Sequence, residues 1–310
     1  MDQAKDDADR FPAHVATVSI GHGYDHFRTL IENRQGRSAA AWREAVDSLA
    51  GDPHLMHAIA SADLVVANLE GTFHHHTVGS LALGGALALA HRMRKRVWAV
   101  NGTVEEIEPW LLSETLAPCE HVSVREPVSG RWLRRQGLRA TTAADCAFLT
   151  DICSAPVPHA AAVAGQRLVL YTPGVLALPD RPDSLDPDDV GAQLDALIAA
   201  GWTPVFFEMG PAEAPFTARA RDLGCAIARV TDVPWQGFGN YLRQFDLVVS
   251  GRYHVLLFAA MAGVPSVALP SNTWKIEGLI ELTSGAAWSH DLLRLRPTCI
   301  DGGNGPSRLD

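Results

Sequence analysis

The stretch 246–265, reading DLVVSGRYHVLLFAAMAGVP, constrains the fold more than any other part of this chain. An apolar run at 247–249 ends in Ser250-Gly251, and Arg252 and His254 follow. Residues 255–262 are apolar over a helical length, and Gly263-Val264-Pro265 leads into a second apolar run at 266–269. Strand, basic turn, helix, strand is one βαβ unit, which requires a parallel sheet. Its charged residues fall at the carboxyl end of the first strand. Open α/β sheets bind ligands there, beside a helix N-terminus that favours anions. A guanidinium two residues from an imidazole suits a phosphate or a carboxylate. The other reading of an isolated R-x-H is an arginine paired with a nearby carboxylate and a histidine satisfied by backbone.

The rest of the chain repeats the alternation. Short apolar strands are expected at 14–20, 64–68, 97–101, 121–125, 167–171, 203–208 and 226–230. Helical patterns fall at 39–49, 53–60, 80–93, 105–113, 127–136, 190–200, 214–223 and 235–245. Alternating strands and helices of this kind predict parallel sheets. The Ala-, Pro- and Ser-rich stretch 150–166 reads as a linker, and the Pro- and Asp-rich stretch 173–189 as a loop. The expected fold class is therefore α/β with two Rossmann-like parallel-sheet domains, 1–155 and 165–310. Two such domains facing each other create a cleft. A chain of 310 residues is long for one core and suits two.

Composition excludes several function classes. The net charge of −9 argues against non-specific nucleic-acid binding, so any anion site is a local gathering of Arg and His in an acidic protein. The five cysteines are odd in number and scattered with no C-x-x-C pair, which argues against a cysteine-built zinc site and for reduced thiols. The acidic start, MDQAKDDADR, is unlike a secretory signal, and the longest apolar runs are too short to span a bilayer. A cytoplasmic location is the expectation.

Three strand ends carry the chemistry. After 64–67 come Asn68-Leu69-Glu70-Gly71-Thr72-Phe73-His74-His75-His76. Glu70 is placed to act as a base or to hydrogen-bond sugar hydroxyls, and the histidines to move a proton or hold a phosphate. Successive histidines on one loop seldom converge on one ion, so no metal is expected. Arg125-Glu126 follows 121–124, where an arginine entering a helix suits an anion and an ion pair with Glu126 or a nearby Asp is the structural alternative. Arg252 and His254 form the third.

These pieces, taken in order, resemble the polysaccharide pyruvyl transferase family. Residues 62–75, ADLVVANLEGTFHH, are similar to its strand followed by a GEGT-like turn and histidines. HVSVREPVSGRWLRRQGL at 121–138 resembles its strand, Arg-Asp or Arg-Glu, helix, Gly segment, and DCAFL at 145–149 its D-P-A-F-L. The R-x-H and A-x-G-V-P of 246–265 match its strongest element, and Lys275-Ile276-Glu277-Gly278 its K-x-E-G. A glycine-rich turn near the start of the family's first domain is replaced here by Gly21-His22-Gly23-Tyr24-Asp25-His26, and that domain is expected to be short. The resemblance implies a glycosyltransferase-B-like architecture with the active site in the interdomain cleft. It implies phosphoenolpyruvate as donor substrate, no further cofactor, and a sugar or glycan acceptor that becomes a pyruvate ketal. His254, Glu70 and His74 are then the expected catalytic residues, and Arg125, Arg252, Glu126, Gly71, His75, Lys275 and Glu277 the substrate-binding ones. A nucleotide-sugar glycosyltransferase, for which Glu208 would be a ribose-binding carboxylate, and a non-catalytic relative binding a glycan or a partner enzyme are the alternatives.

Overall fold

The computed structural model describes residues 24–160, 165–174 and 186–283. The expected strand at 14–20 and Gly21-His22-Gly23 lie outside the described residues, as does most of the expected loop at 173–189. The chain divides into two compact units, Met1–Asp145 and Cys146–Asp310.

Unit 1 opens with three helices, α1 (Tyr24–Glu32), α2 (Ala39–Leu49) and α3 (Pro53–Ser61). Ser38 caps α2 through the Ala41 N–H, and Asp52 caps α3 with Pro53 in its first turn, so both begin where the sequence supplies a cap. Then β1 (Leu64–Asn68), α4 (Val78–Arg92), β2 (Arg96–Gly102), α5 (Pro109–Thr115), β3 (His121–Val124), α6 (Pro127–Arg135) and β4 (Thr141–Thr142) alternate. The strands form one parallel sheet in the order β1-β2-β3-β4. Helix α4 is buried along most of its length because Gly84 and Gly85 let Trp42, Leu111 and Phe27 come close; a Cβ on Gly85 would stand 2.8 Å from the Phe27 ring. Helix α1 was not among the helices expected from the sequence, although it is strongly amphipathic, and its Phe27 and Leu30 seal the same core.

Unit 2 holds β5 (Arg167–Thr172), α7 (Pro187–Ala199), β6 (Trp202–Glu208), α8 (Ala214–Asp222), β7 (Ala226–Arg229), α9 (Phe238–Leu242), β8 (Leu247–Ser250), α10 (Tyr253–Ala262), β9 (Ser266–Ala268) and α11 (Lys275–Leu282). Its five strands are parallel in the order β7-β6-β5-β8-β9. The chain runs outward from β5 in one direction and then in the other, so the topological switch lies between β5 and β8. Ligands of open α/β sheets bind beyond the strand ends at such a point. The expected βαβ unit is β8-α10-β9, and α10 stops at Gly263 in the left-handed conformation.

Residues 150–160 contain no helix or strand and are seated on unit 2. Gln236, Asn240 and Gln244, four residues apart, bond their backbone: Gln236 O accepts from Ser154 and Ala155, Asn240 donates to Cys153 O, and Gln244 donates to Pro158 O. No helix among the described residues is long and apolar enough to cross a membrane.

Candidate functional site

In unit 1 the carboxyl ends of β1, β2 and β3 gather Glu70, Thr103, Arg125 and Asp145. Arg125 is only 2% exposed; Nη1 lies 2.9 Å from Asp145 Oδ2 and 3.6 Å from Glu70 Oε1, and Nε donates to Thr103 Oγ1 at 3.0 Å. The arginine expected to face an anion is thus a buried partner of two carboxylates, of which Glu70 is the one that reaches solvent. Glu126, expected at a ligand, is fully buried and caps α6, both its oxygens accepting the Ser129 N–H at 3.0 Å. Burial raises its pKa.

The histidine triplet divides three ways. The loops after β1 and β2 are stitched by a bridge between His74 and Glu105, and the His75 N–H donates to Glu105 O. His74, buried, places Nε2 3.2 Å from Gly71 O, while Gly71 turns with φ 62°. His75 stands between two glutamates, Nδ1 2.9 Å from Glu106 and Nε2 3.9 Å from Glu105. Among the described residues this is the set able to hold a metal ion, with one ligand atom from each within 4.8 Å of the others. His76 is a structural residue: Nδ1 meets Gly36 O, and Nε2 accepts the Glu108 N–H at 2.7 Å. Burial, aided by Arg37, lowers its pKa. His75, His76, Asn101 and Glu106 all have positive φ, so the non-glycine backbone strain of unit 1 concentrates in these two loops and the end of β2.

In unit 2 three backbone segments meet at the switch point. A Cβ on Gly251 would fall 2.4 Å from Gly174 Cα, and one on Gly174 would fall 2.5 Å from Pro270 O, so only glycine permits the approach. Arg252 sits at the N-cap of α10, where its N–H donates to Ser250 Oγ at 2.9 Å. Its guanidinium pairs through Nη2 with Glu213, a fully buried carboxylate that also accepts the Met209 N–H at 2.6 Å. His254 is half-buried in the first turn of α10, between the rings of Tyr253 and Phe258. Beyond β9, Lys275 is buried with Nζ 2.8 Å from Asn272 Oδ1, and burial raises the pKa of Glu277. Glu208, the carboxylate weighed for a ribose, pairs with Arg229 on the neighbouring strand at 3.3 Å.

Sequence reasoning missed Glu105 and Glu213, whereas the Arg125–Asp145 pair is the structural alternative it weighed, an arginine held by a nearby Asp. Glu213 and Arg252 are 39 positions apart and belong to different turns of the sheet. No local pattern marks such a pair.

In both units guanidinium, imidazole and carboxylate groups lie at the carboxyl ends of parallel strands, where open α/β sheets bind their ligands. A sequence model described as polysaccharide pyruvyl transferase matches residues 78–273. That span is more than half of the chain, and the chain belongs to the polysaccharide pyruvyl transferase family. Arg125, Arg252 and His254 lie inside the matched span; Glu70, His74, His75, Lys275 and Glu277 lie outside it.

A comparison with curated proteins found no match. Among solved structures, a Listeria monocytogenes protein provisionally described as a UDP-N-acetylglucosamine 2-epimerase is 16% identical, with a TM-score of 0.49 over 78% of this chain and 71% of that one. The UDP-GlcNAc 2-epimerase of Methanocaldococcus jannaschii is 11% identical, with a TM-score of 0.44 over 90% and 76%. Spinosyn rhamnosyltransferase SpnG is 15% identical, with a TM-score of 0.40 over 92% and 69%. Likeness of that degree says nothing of activity.

Proposed function

We propose that the chain is a ketal pyruvyltransferase that takes phosphoenolpyruvate as donor and two hydroxyls of a sugar or glycan as acceptor. The observation that carries this reading is the placement of Arg252 and His254, inside the family-matched span, at the N-terminus of α10 beside the switch point of unit 2. Phosphoenolpyruvate brings a phosphate and a carboxylate, and a guanidinium at a helix N-terminus binds either. Glu213 fixes that guanidinium through one nitrogen.

The reaction balances in two steps. A proton added to the enol methylene leaves C2 electrophilic, and one acceptor hydroxyl adds to C2 while losing its proton to a base. The second hydroxyl then displaces phosphate from C2 and gives its proton to the departing phosphate, closing the ketal and releasing inorganic phosphate. His254 is assigned to the donor and the proton, and Glu70 or His74 to activating the acceptor. Glu70 is the most accessible carboxylate of its cluster that Arg125 also touches. Phosphoenolpyruvate is a cytoplasmic metabolite, and the reading places the protein there.

The test is calorimetric titration with phosphoenolpyruvate, in parallel with UDP- and GDP-sugars, and phosphate release over a panel of acceptors. Phosphoenolpyruvate is expected to bind, and Arg252→Ala to weaken it by about ten- to 150-fold, the cost of a charge-assisted contact of about 1.5–3 kcal/mol. Binding of a nucleotide sugar in place of phosphoenolpyruvate would replace this reading with a glycosyltransferase.

A further inference from the structure

Glu213 is too deeply buried to touch a ligand, yet it carries a charge. Its side chain is 1% exposed, and a buried carboxylate persists where it is paired and hydrogen-bonded. Both oxygens are occupied: Oε2 accepts the Met209 N–H at 2.6 Å, and Oε1 accepts from Arg252 Nη2. The residue is itself firmly held. Its N–H donates to Gly210 O at 3.0 Å, closing the single turn Pro211–Glu213. It stands directly before α8, where a helix N-terminus favours negative charge.

Arg252 is fixed at its other end. Its N–H donates to Ser250 Oγ, and Gly251 before it packs against the Gly174 backbone with no room for a methyl. Glu213 follows β6 and Arg252 follows β8, and the strand order places β5 between the two. The side chain therefore reaches over the end of β5, across the switch point, to meet the carboxylate. Arg252 Nε is buried and meets no acceptor among the described residues, and one Nη2 N–H goes to Glu213. The part of the guanidinium left for a ligand is its Nη end, on a side chain that is 22% exposed. A free arginine loses rotamer freedom when it closes on an anion, whereas one already tethered at both ends has lost it beforehand.

We propose that Glu213 is a positioning residue of the anion site at α10, which orders the Arg252 guanidinium before the ligand arrives and acts on the ligand only through it. The inference rests on the assignment of Arg252 to the donor made above. The experiment is a double-mutant cycle of parent, Glu213→Gln, Arg252→Ala and the double variant. Each is titrated calorimetrically with phosphoenolpyruvate, with inorganic phosphate and with a UDP-sugar. The glutamine amide has one acceptor oxygen, so it cannot hold both the Met209 N–H and Arg252. Glu213→Gln is expected to weaken ligand binding about two- to tenfold, the cost of ordering one long side chain. In the Arg252→Ala background it should leave affinity where that change has already put it. Equal losses in both backgrounds would make Glu213 a support of the fold alone and overturn the proposal. Unchanged or tighter binding by Glu213→Gln would overturn it as well. Binding of phosphate or the UDP-sugar without phosphoenolpyruvate would sink the donor assignment only, and the cycle run with the ligand that binds still decides the role of Glu213. Binding of none of the three overturns both. Circular dichroism checks folding. If Arg252→Ala unfolds because it strands the buried carboxylate, Arg252→Lys, which keeps a cation there without a fork to orient, replaces it with the same expectation.

Discussion

Arg125 shows how one residue can be correctly placed by sequence and still carry a different load. Its position, at the strand end before α6, follows from the pattern HVSVRE. Its environment does not, because Asp145 and Thr103 come from 20 and 22 positions away. A guanidinium that is 2% exposed and paired with a carboxylate that is 1% exposed contributes little net stability as a pair, but breaking it strands a buried charge. Arg125→Met should therefore destabilise unit 1 by about 3–5 kcal/mol, measured as a shift of the urea midpoint at constant slope. Arg125→Met with Asp145→Leu should recover most of the loss, since no lone charge remains. An unchanged midpoint in the single variant would mean that the arginine is solvated in solution. The same distinction separates structure from function at Glu126, whose resemblance to the Arg-Glu of the family gave no hint that both oxygens are occupied by the Ser129 N–H.

At the scale of elements, the strands and most helices were legible because their apolar periods are local. The runs at 64–68, 203–208 and 226–230 are strands in the structure within a residue or so of the expected ends. Helix α5 is the instructive difference. A helical pattern from 105 begins instead at Pro109, because 105–108 are held by the His74 bridge and the His75 and His76 contacts, and a proline at the first helical position sets the start. Helices α1 and α11 were not expected from the sequence, although both are amphipathic, because each is only eight or nine residues long and α11 carries no side-chain cap that announces it. The close approach of β5, β8 and the segment after β9 was likewise invisible in sequence, since Gly174 and Gly251 each look like an ordinary turn residue. Gly251→Ala puts a methyl against the Gly174 backbone, which cannot move aside as a side chain can. A loss of about 1–3 kcal/mol is expected from the overpacking, together with loss of turnover as Arg252 shifts with its neighbour. Thermal melts and phosphate release on the same preparation check both; a variant with full activity and an unchanged melt would show that the three segments are further apart in solution.

For the whole molecule, the order of the motifs carried more than any motif alone: the family and the two parallel sheets follow from pieces spread from 62 to 278, whereas the pairs that hold each site follow only from the folded chain. The response of global stability to pH belongs to this scale, because groups of opposite sign contribute. His76 is buried and its folded pKa lies below the ordinary 6.5, the main cause being desolvation. The unfolded chain then binds more protons between that lowered value and 6.5, so stability rises with pH through this window and is lost as pH falls through it. Glu126 and Glu277 act oppositely. Burial raises their pKa above 4.5, so the folded state binds more protons above that value, and stability rises as pH falls toward 4.5. A melting temperature that declines on going from pH 7.5 to about 6 is therefore the signature of His76, before the carboxyls begin to compensate. His76→Gln, whose amide oxygen can accept the Glu108 N–H but cannot titrate, should lower the melt at pH 7.5 slightly and flatten the decline. If the decline keeps its full slope in that variant, another histidine governs the acid response, and the buried contact with Gly36 is not what the fold loses first.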